Sequence, residues 1–246
     1  MAVWLHCSPP SSGTGGAYFV GGIVTEPTPR QAAVILDYQN VHLTGHGLYE
    51  STRHADKHLC LVDPLLYANA VLRTRNARQL PGHAPAVLHK VLVYRGNPTP
   101  EHAPQAYARN LRQKDHWERD PRVHVTLRPL KYYYMRDAAG AIVYRDNQKV
   151  VERIQEKGVD VLCALAVIRE ACDPNVDLVI LASSDSDLEP AIEEAHRMGA
   201  AKIETASWWN AREKWGQQLR LRELRVWNTR LDETVFNSVR DTQDYT

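Results

Sequence analysis

The sequence predicts an α/β protein with a mainly parallel central sheet, and three observations carry that prediction. Ala33-Val34-Ile35-Leu36 is a continuous apolar run, and so is Leu178-Val179-Ile180-Leu181. Unbroken rather than alternating runs mark strands buried on both faces, as in a parallel sheet with helices on either side. Helical patterns also alternate with such runs along the chain, the order expected of βαβ units. A length of 246 residues, with 43% hydrophobic and 24% charged residues, fits one large globular domain or a domain with appendages.

Composition narrows the function classes. Formal charge is +1, so no whole-molecule field announces nucleic acid and any basic surface must be local. No apolar run approaches the roughly 20 residues that span a bilayer. Residues 17–24 are too short and are broken by Gly21-Gly22, and the first residues lack a basic n-region. Neither a membrane partner nor a signal peptide is expected. Cys7, Cys60, Cys163 and Cys172 are scattered without a CxxC pair, which favours a reduced, cytoplasmic protein over a disulfide framework.

Residues 1–30 are dense in Gly, Pro and Ser and read as a flexible leader contributing little to the core. The domain is expected over 31–209. Its first strand, at Ala33–Leu36, ends at Asp37, and a loop rich in Gly and His follows Val41. Asp63-Pro64 opens a helix by the usual cap and proline signals. Val87–Tyr94 and Val123–Leu130 are the next strands, with a helix between them over Glu101–Asp120. Lys131–Tyr134 and Ala141–Tyr144 flank Asp137-Ala-Ala-Gly140, which suggests a hairpin or excursion. Val159–Ala171 is a strongly apolar helix leading into the Leu178 strand. A helix ending at Gly199 and a last strand at Lys202–Thr205 complete the domain. Residues 210–246 read as a charged helical extension.

The chemistry-bearing residues fall at the junctions of these elements. Asp37 ends the first strand. In Asp177–Pro190, DLVILASSDSDLEP, the apolar run gives way to Asp185, Asp187 and Glu189 where strand hands over to helix. That is the end at which open α/β sheets bind ligands. Asp160, in Glu156-Lys157-Gly158-Val159-Asp160, stands at the entrance of the apolar helix. Each acid has a plainer reading. Asp37 fits a turn, Asp160 an N-cap, and Ser186-x-x-Glu189 a capping box. Asp185 stands before that cap, where helix physics does not ask for an acid. If the two inner strands are neighbours, their acids share one rim. Clustered carboxylates raise one another's pKa unless a cation neutralises them. Hard oxygen ligands of this kind suit Mg²⁺ or Mn²⁺, and such an ion activates water and stabilises charge on a phosphoryl group. Asn40, three residues past Asp37, is placed to hold a water or a carboxylate.

The segments ILDYQNV, EKGVDVLCALAVI and VILASSDSDLEPAI, in that order and spacing, resemble the NYN domain, a branch of the PIN-like ribonucleases. The resemblance runs from about Ala33 to Ser207. It implies a Rossmann-like three-layer α/β/α sandwich and metal-dependent hydrolysis of RNA phosphodiesters, endonucleolytic on single-stranded or structured RNA. By match, Asp37 and Asn40 take the place of the family's first-strand pair, Asp160 of its middle acid, and Asp185 and Asp187 of its last acids. Asp37, Asp160, Asp185 and Asp187 are then the metal ligands. Many members carry Gly where this chain has Ser184.

Other readings stand beside this one. Lys131, Lys149, Arg153 and Lys157, with Arg128, Arg136 and Tyr132-Tyr133-Tyr134, form a basic-aromatic stretch suited to RNA, against the plainer reading of a solvated hairpin face. His42-x3-His46 and His54-x3-His58 near Cys60 hint at zinc, but Gly45 and Gly47 argue for a loop, and a structural site needs four placed ligands. Trp208, Trp209 and Trp215 could stack bases, but core packing or a contact between copies of the chain is the favoured reading, so a homo-oligomer is admitted. No GxGxxG follows the first strand, which disfavours a dinucleotide enzyme. The competing function is a catalytically inactive PIN-like module that binds RNA or a protein.

Overall fold

The computed structural model describes residues 28–50, 60–199, 201–212, 214–219, 221 and 224–245. The chain runs β1 (Arg30–Asp37), α1 (Tyr38–Tyr49), α2 (Pro64–Ala77), β2 (Ala86–Asn97), α3 (Pro104–Trp117), β3 (Val123–Pro129), β4 (Lys131–Tyr134), β5 (Tyr144–Arg145), β6 (Gln148–Lys149), β7 (Val151–Gln155), α4 (Val159–Ala171), β8 (Leu178–Ala182), α5 (Glu189–Met198), β9 (Lys202–Trp208), β10 (Trp227–Leu231) and α6 (Glu233–Ser238). A single turn of 3-10 helix, Ser186–Leu188, precedes α5.

Six strands form one sheet in the order β10-β9-β8-β1-β2-β3, and every pairing in it is parallel. The two apolar runs are inner neighbours, with Val34 opposite Ile180 and Leu36 opposite Ala182. Their side chains divide between two cores, as the period of a strand requires. Ala32, Val34 and Leu36 face a core with Tyr38, Tyr67, Trp117, Trp208 and Phe236. Ala33 and Ile35 face the other, with residues of α4 and α5 such as Val159, Val167 and Ile192. Helices on both faces of a parallel sheet make the three-layer α/β/α arrangement that the sequence predicts.

Two local expectations are corrected. The Gly/His-rich loop after Val41 is helical through Tyr49. Gly45 permits this by packing rather than by its freedom of φ. A Cβ there would lie 2.8 Å from Phe236 Cε2 and 3.0 Å from Trp208 Nε1, which itself donates to the Val41 carbonyl. A Gly45→Ala change gains about 1 kcal/mol of helix propensity. It also overpacks two aromatics, which costs about 1–3 kcal/mol. We expect a lower melting temperature; a higher one would show that Phe236 moves aside freely.

The excursion after β3 is formed as expected: the chain turns at Asp137–Gly140, with Arg136 bridging Ile142 and the Val143 amide donating to the Met135 carbonyl. Lys131–Tyr134 itself pairs antiparallel with Val151–Gln155, and the β5–β6 hairpin lies between. The segment beyond Asn210 is not a helical extension. It supplies β10 at the edge of the sheet and one short helix, α6, whose Phe236 is fully buried. Trp227 and Leu231 begin and end a strand within a stretch whose surrounding charges suggest a helix. The expectation for the leader falls almost wholly outside the described residues, as do His54 and His58. Among the described residues no helix is long and apolar enough to cross a membrane.

Candidate active site

The carboxyl ends of β1 and β8 open into a cleft of about 720 Å³. Asp37, Asn40, Asp160, Asp185 and Asp187 all line it, so every acid singled out from the sequence, Glu189 excepted, reaches one space. Asp37 is buried, Asp160 and Asp185 are half-buried, and Asp187 is exposed.

Local structure assigns these acids capping duties different from those expected. Asp37 is the N-cap of α1, its Oδ1 accepting from the Asn40 amide at 3.3 Å. Asp185 caps the 3-10 turn, its Oδ1 accepting from the Asp187 amide at 3.0 Å. The N-cap of α4 is Gly158, in the left-handed region at φ 78°, and not Asp160. Asp160 stands instead in the first turn, where the helix dipole favours its charge. Ser186 is not the cap of a Ser-x-x-Glu box, because Asp185 already fills that place.

Two serines with no site role expected from the sequence bind the site together. Ser183, buried at the end of β8, donates from Oγ to Asp37 Oδ2 at 3.0 Å and accepts the Asp185 amide at 3.1 Å. One hydroxyl therefore links the strand-end acids of neighbouring strands. Ser184 donates from both its amide and its hydroxyl to Asn40 Oδ1, each at 3.0 Å. The Asn40 side-chain oxygen thus holds the β8 loop, while its backbone amide holds the Asp37 carboxylate. Ser184 is a tether between the β8 loop and α1.

Glu156 is a further acid of the cleft that motif matching did not single out. Its Oε1 accepts from the Gly96 amide at 2.6 Å. A Cβ on Gly96 would come within 3.0 Å of that carboxyl and 2.6 Å of Leu130 Cδ2, so glycine is what lets the acid dock. The available signal was its place four residues before Asp160.

The acids feel one another. Burial pushes the Asp37 carboxyl up; the Asn40 amide and Ser183 hydroxyl oppose this, and Asp185 and Asp160 add to it. Burial likewise raises Glu156, the Gly96 amide lowers it, and Asp37 raises it again. For Asp37 the consequence for stability has a definite sign. Between the ordinary carboxyl value of 3.8 and the raised folded value, the native state holds more protons than the unfolded chain, so stability falls as pH rises through that window. Above it the charged carboxylate is a standing cost. Asp37→Asn should therefore stabilise the metal-free protein near neutral pH, with the advantage shrinking toward the acid side of the window. Urea denaturation at several pH values in EDTA checks this, and a variant less stable at every pH would contradict it.

A divalent cation fits this donor set in one mode only. Among the described residues no three His, Cys, Asp or Glu side chains form a ready group for a metal ion. That disfavours a dehydrated all-protein cage such as structural zinc. It is compatible with Mg²⁺ or Mn²⁺, which are held by one or two carboxylates and keep waters or phosphate oxygens in their other positions.

The basic residues divide. Lys157 lines the cleft. Arg153 lies over the Tyr133 ring at 4.3 Å and Lys131 at 5.1 Å, whereas Lys149 sits against Tyr134. Arg128 donates to the Lys157 carbonyl and packs beneath Gly158, supporting the turn into α4.

Residues 106–213 match the family model of the NYN domain. The matched stretch contains Asp160, Asp185 and Asp187, while Asp37 and Asn40 lie before it. The match is consistent with a NYN/PIN-like family and with the nuclease character general to it. No curated protein matches the chain. Among solved structures, the chain is similar to a protein of unknown function from Vibrio parahaemolyticus RIMD 2210633, at 22% identity and a TM-score of 0.40, over 72% of this chain and 81% of that one.

Proposed function

We propose that this protein is a metal-dependent ribonuclease, hydrolysing RNA phosphodiester bonds endonucleolytically in the cleft at the ends of β1 and β8. The observation that carries the proposal is the Ser183 link between Asp37 and Asp185, with Asp160 bordering the same space. A hydroxyl shared between the Asp37 carboxylate and the Asp185 backbone, beside a cleft that Asp160 also lines, is more than a set of unrelated caps would require.

Asp37, Asp160, Asp185 and Asp187 would hold one or two Mg²⁺ or Mn²⁺ ions, one or two of the acids directly and the others through bound water. When bound, such an ion polarises the scissile phosphoryl group and activates a water. The chain's own contribution is placement. Ser183 ties the Asp37 carboxylate to the backbone of Asp185. Asn40, through Ser184, fixes the loop that carries Asp185. Glu156, anchored on Gly96, closes the wall between Asp160 and β2. Lys157, Lys131, Arg153 and Lys149 offer cations to the phosphate backbone, contacts that give salt-sensitive affinity without sequence information.

Labelled RNA incubated with Mn²⁺ or Mg²⁺, and in parallel with excess EDTA, tests the reading. Cleavage that depends on the metal supports it. Cleavage unaffected by EDTA overturns the metal requirement, and binding without any cleavage would favour the inactive RNA-binding module.

A further inference from the structure

The excursion between β3 and α4 is a built element, and its two sides differ. In β4 and β7, Tyr133 pairs with Arg153 and Lys131 with Gln155, so these four residues share one side of the ribbon. On that side the Arg153 guanidinium covers the Tyr133 ring at 4.3 Å and the Lys131 ammonium approaches it at 5.1 Å. Lys157 reaches the same tyrosine. Burial acts to raise the Tyr133 phenol, but the Lys157 and Lys131 ammonium groups beside it outweigh that and hold it below its usual range. Lys131, Arg153 and Lys157 are all exposed. The stripe also runs toward the acids, because Gln155 and Lys157 themselves line the cleft.

The other side anchors the ribbon. Tyr132 stacks on His102 with ring centroids 3.7 Å apart, and the Tyr134 hydroxyl meets His102 Nε2 at 3.0 Å. Thr99 Oγ1 meets the remaining ring nitrogen at 2.7 Å, so both nitrogens of His102 are engaged and the base of the ribbon is tied to the loop before α3. The cationic side is thus held in a set direction relative to the cleft. A solvated charge run would require neither the stack nor the tether.

We infer that this ribbon is a guide for single-stranded RNA, engaging the strand away from the scissile phosphate and leading it along Gln155–Lys157 to the carboxylates. The inference rests on the ribonuclease reading for what happens in the cleft. A guanidinium lying on an aromatic ring is a flat cationic platform on which a splayed base can stack, while ammonium groups to either side meet phosphates. A duplex keeps its bases stacked on one another and cannot use that platform. The guide is sequence-tolerant, since every base has a stacking face.

Fluorescence anisotropy in EDTA separates this from cleavage, with uridine homopolymers of about 4 and about 16 nucleotides, the range of single-strand sites. The wild-type chain should bind the longer strand at least about tenfold more tightly than the shorter. Lys131→Ala/Arg153→Ala should collapse that ratio and reduce the slope of log affinity on log salt by about 0.7, the share of the single phosphate contact assigned to Lys131. Tyr133→Leu should lower the ratio without changing the slope. Arg78→Ala, exposed near the opposite end of the sheet, should change neither. The double variant replaces exposed side chains, and an unchanged melting curve confirms its fold. A ratio preserved in the double variant, or duplex of equal length bound as tightly as the single strand, overturns the guide. Length-dependent binding lost in the double variant while wild type cuts no RNA leaves the guide standing and overturns the ribonuclease reading instead.

Discussion

Asp185→Asn should abolish RNA cleavage and leave the fold intact. The substitution is apt because Asp185 has two jobs that can be separated. Its Oδ1 caps the 3-10 turn by accepting the Asp187 amide, and an asparagine oxygen caps about as well as an aspartate oxygen. The Ser183 tether acts through the Asp185 backbone amide and is untouched. What is lost is the negative charge at the mouth of the cleft. Losses of about 10²–10³ that follow removal of one electrostatic contact in an active site set a lower bound. A second readout does not depend on turnover. A cation bound only by the native state stabilises it by about 2.7 kcal/mol at a hundredfold excess over its dissociation constant. Wild type should therefore melt at a higher temperature with Mn²⁺ than in EDTA, and Asp185→Asn should lose most of that increment. In EDTA the variant should be at least as stable as wild type, since one of the carboxylates that raise Asp37 is gone. Asp187→Asn, at an exposed position with no cap to keep, should cost less than Asp185→Asn. If Asp185→Asn cuts as fast as wild type, the cleft is not the reaction site.

How far the sequence could be read depended on how local the controlling physics is. The inner strands were legible because burial on both faces writes an unbroken apolar run, and Ala33–Leu36 and Leu178–Leu181 are such runs. The ends of α4 and α5 were legible because their signals, Val159 after a Gly and Gly199 at a C-terminus, lie within a turn of the boundary. Helix α1 was not. Gly45 looks like a breaker in sequence, and only the approach of Trp208 and Phe236, more than 160 residues away, explains it. Strand β10 was hidden for a related reason. Trp227-Asn-Thr-Arg-Leu231 is short and carries polar residues, and only its pairing with β9 buries Thr229 and Leu231. In the cleft, the acids stood out as residue types at element ends. Their supports did not: Ser183 and Ser184 are common residues whose meaning is a hydrogen bond to a distant strand or helix, and Glu156 depends on a glycine 60 positions earlier. The capping assignments were misread because one residue of offset decides which acid faces the free amides, and sequence spacing does not resolve that offset.

Arg75→Met should cause a large loss of stability that has nothing to do with the cleft. Arg75, on α2, is buried to 1% of its side-chain surface and meets Glu204 of β9, equally buried, through Nε at 2.8 Å and Nη2 at 3.0 Å. The pair joins the helical layer to the sheet near the end opposite the acids. Replacing arginine with methionine keeps most of the packing volume but leaves a carboxylate inside the protein. Breaking a buried pair in this way typically costs about 3–5 kcal/mol, far more than the pair contributes over an apolar replacement of both partners. Lys202 reaches Glu204 at 2.7 Å from a half-exposed position and will relieve part of the strain, so the lower end, about 3 kcal/mol, is expected. In a chain of this size that corresponds to a fall in melting temperature of roughly 6–12 °C. The double variant Arg75→Met/Glu204→Leu removes the stranded charge and should recover most of the loss, giving a coupling energy of about 2 kcal/mol or more in a double-mutant cycle. Below its melting range Arg75→Met should bind and cut RNA like wild type, the reverse of the pattern expected for Asp185→Asn. Equal stability of wild type and Arg75→Met would mean that Lys202 alone neutralises Glu204, and a double variant no better than the single would mean that the bidentate geometry, and not the buried charge, is what the fold requires.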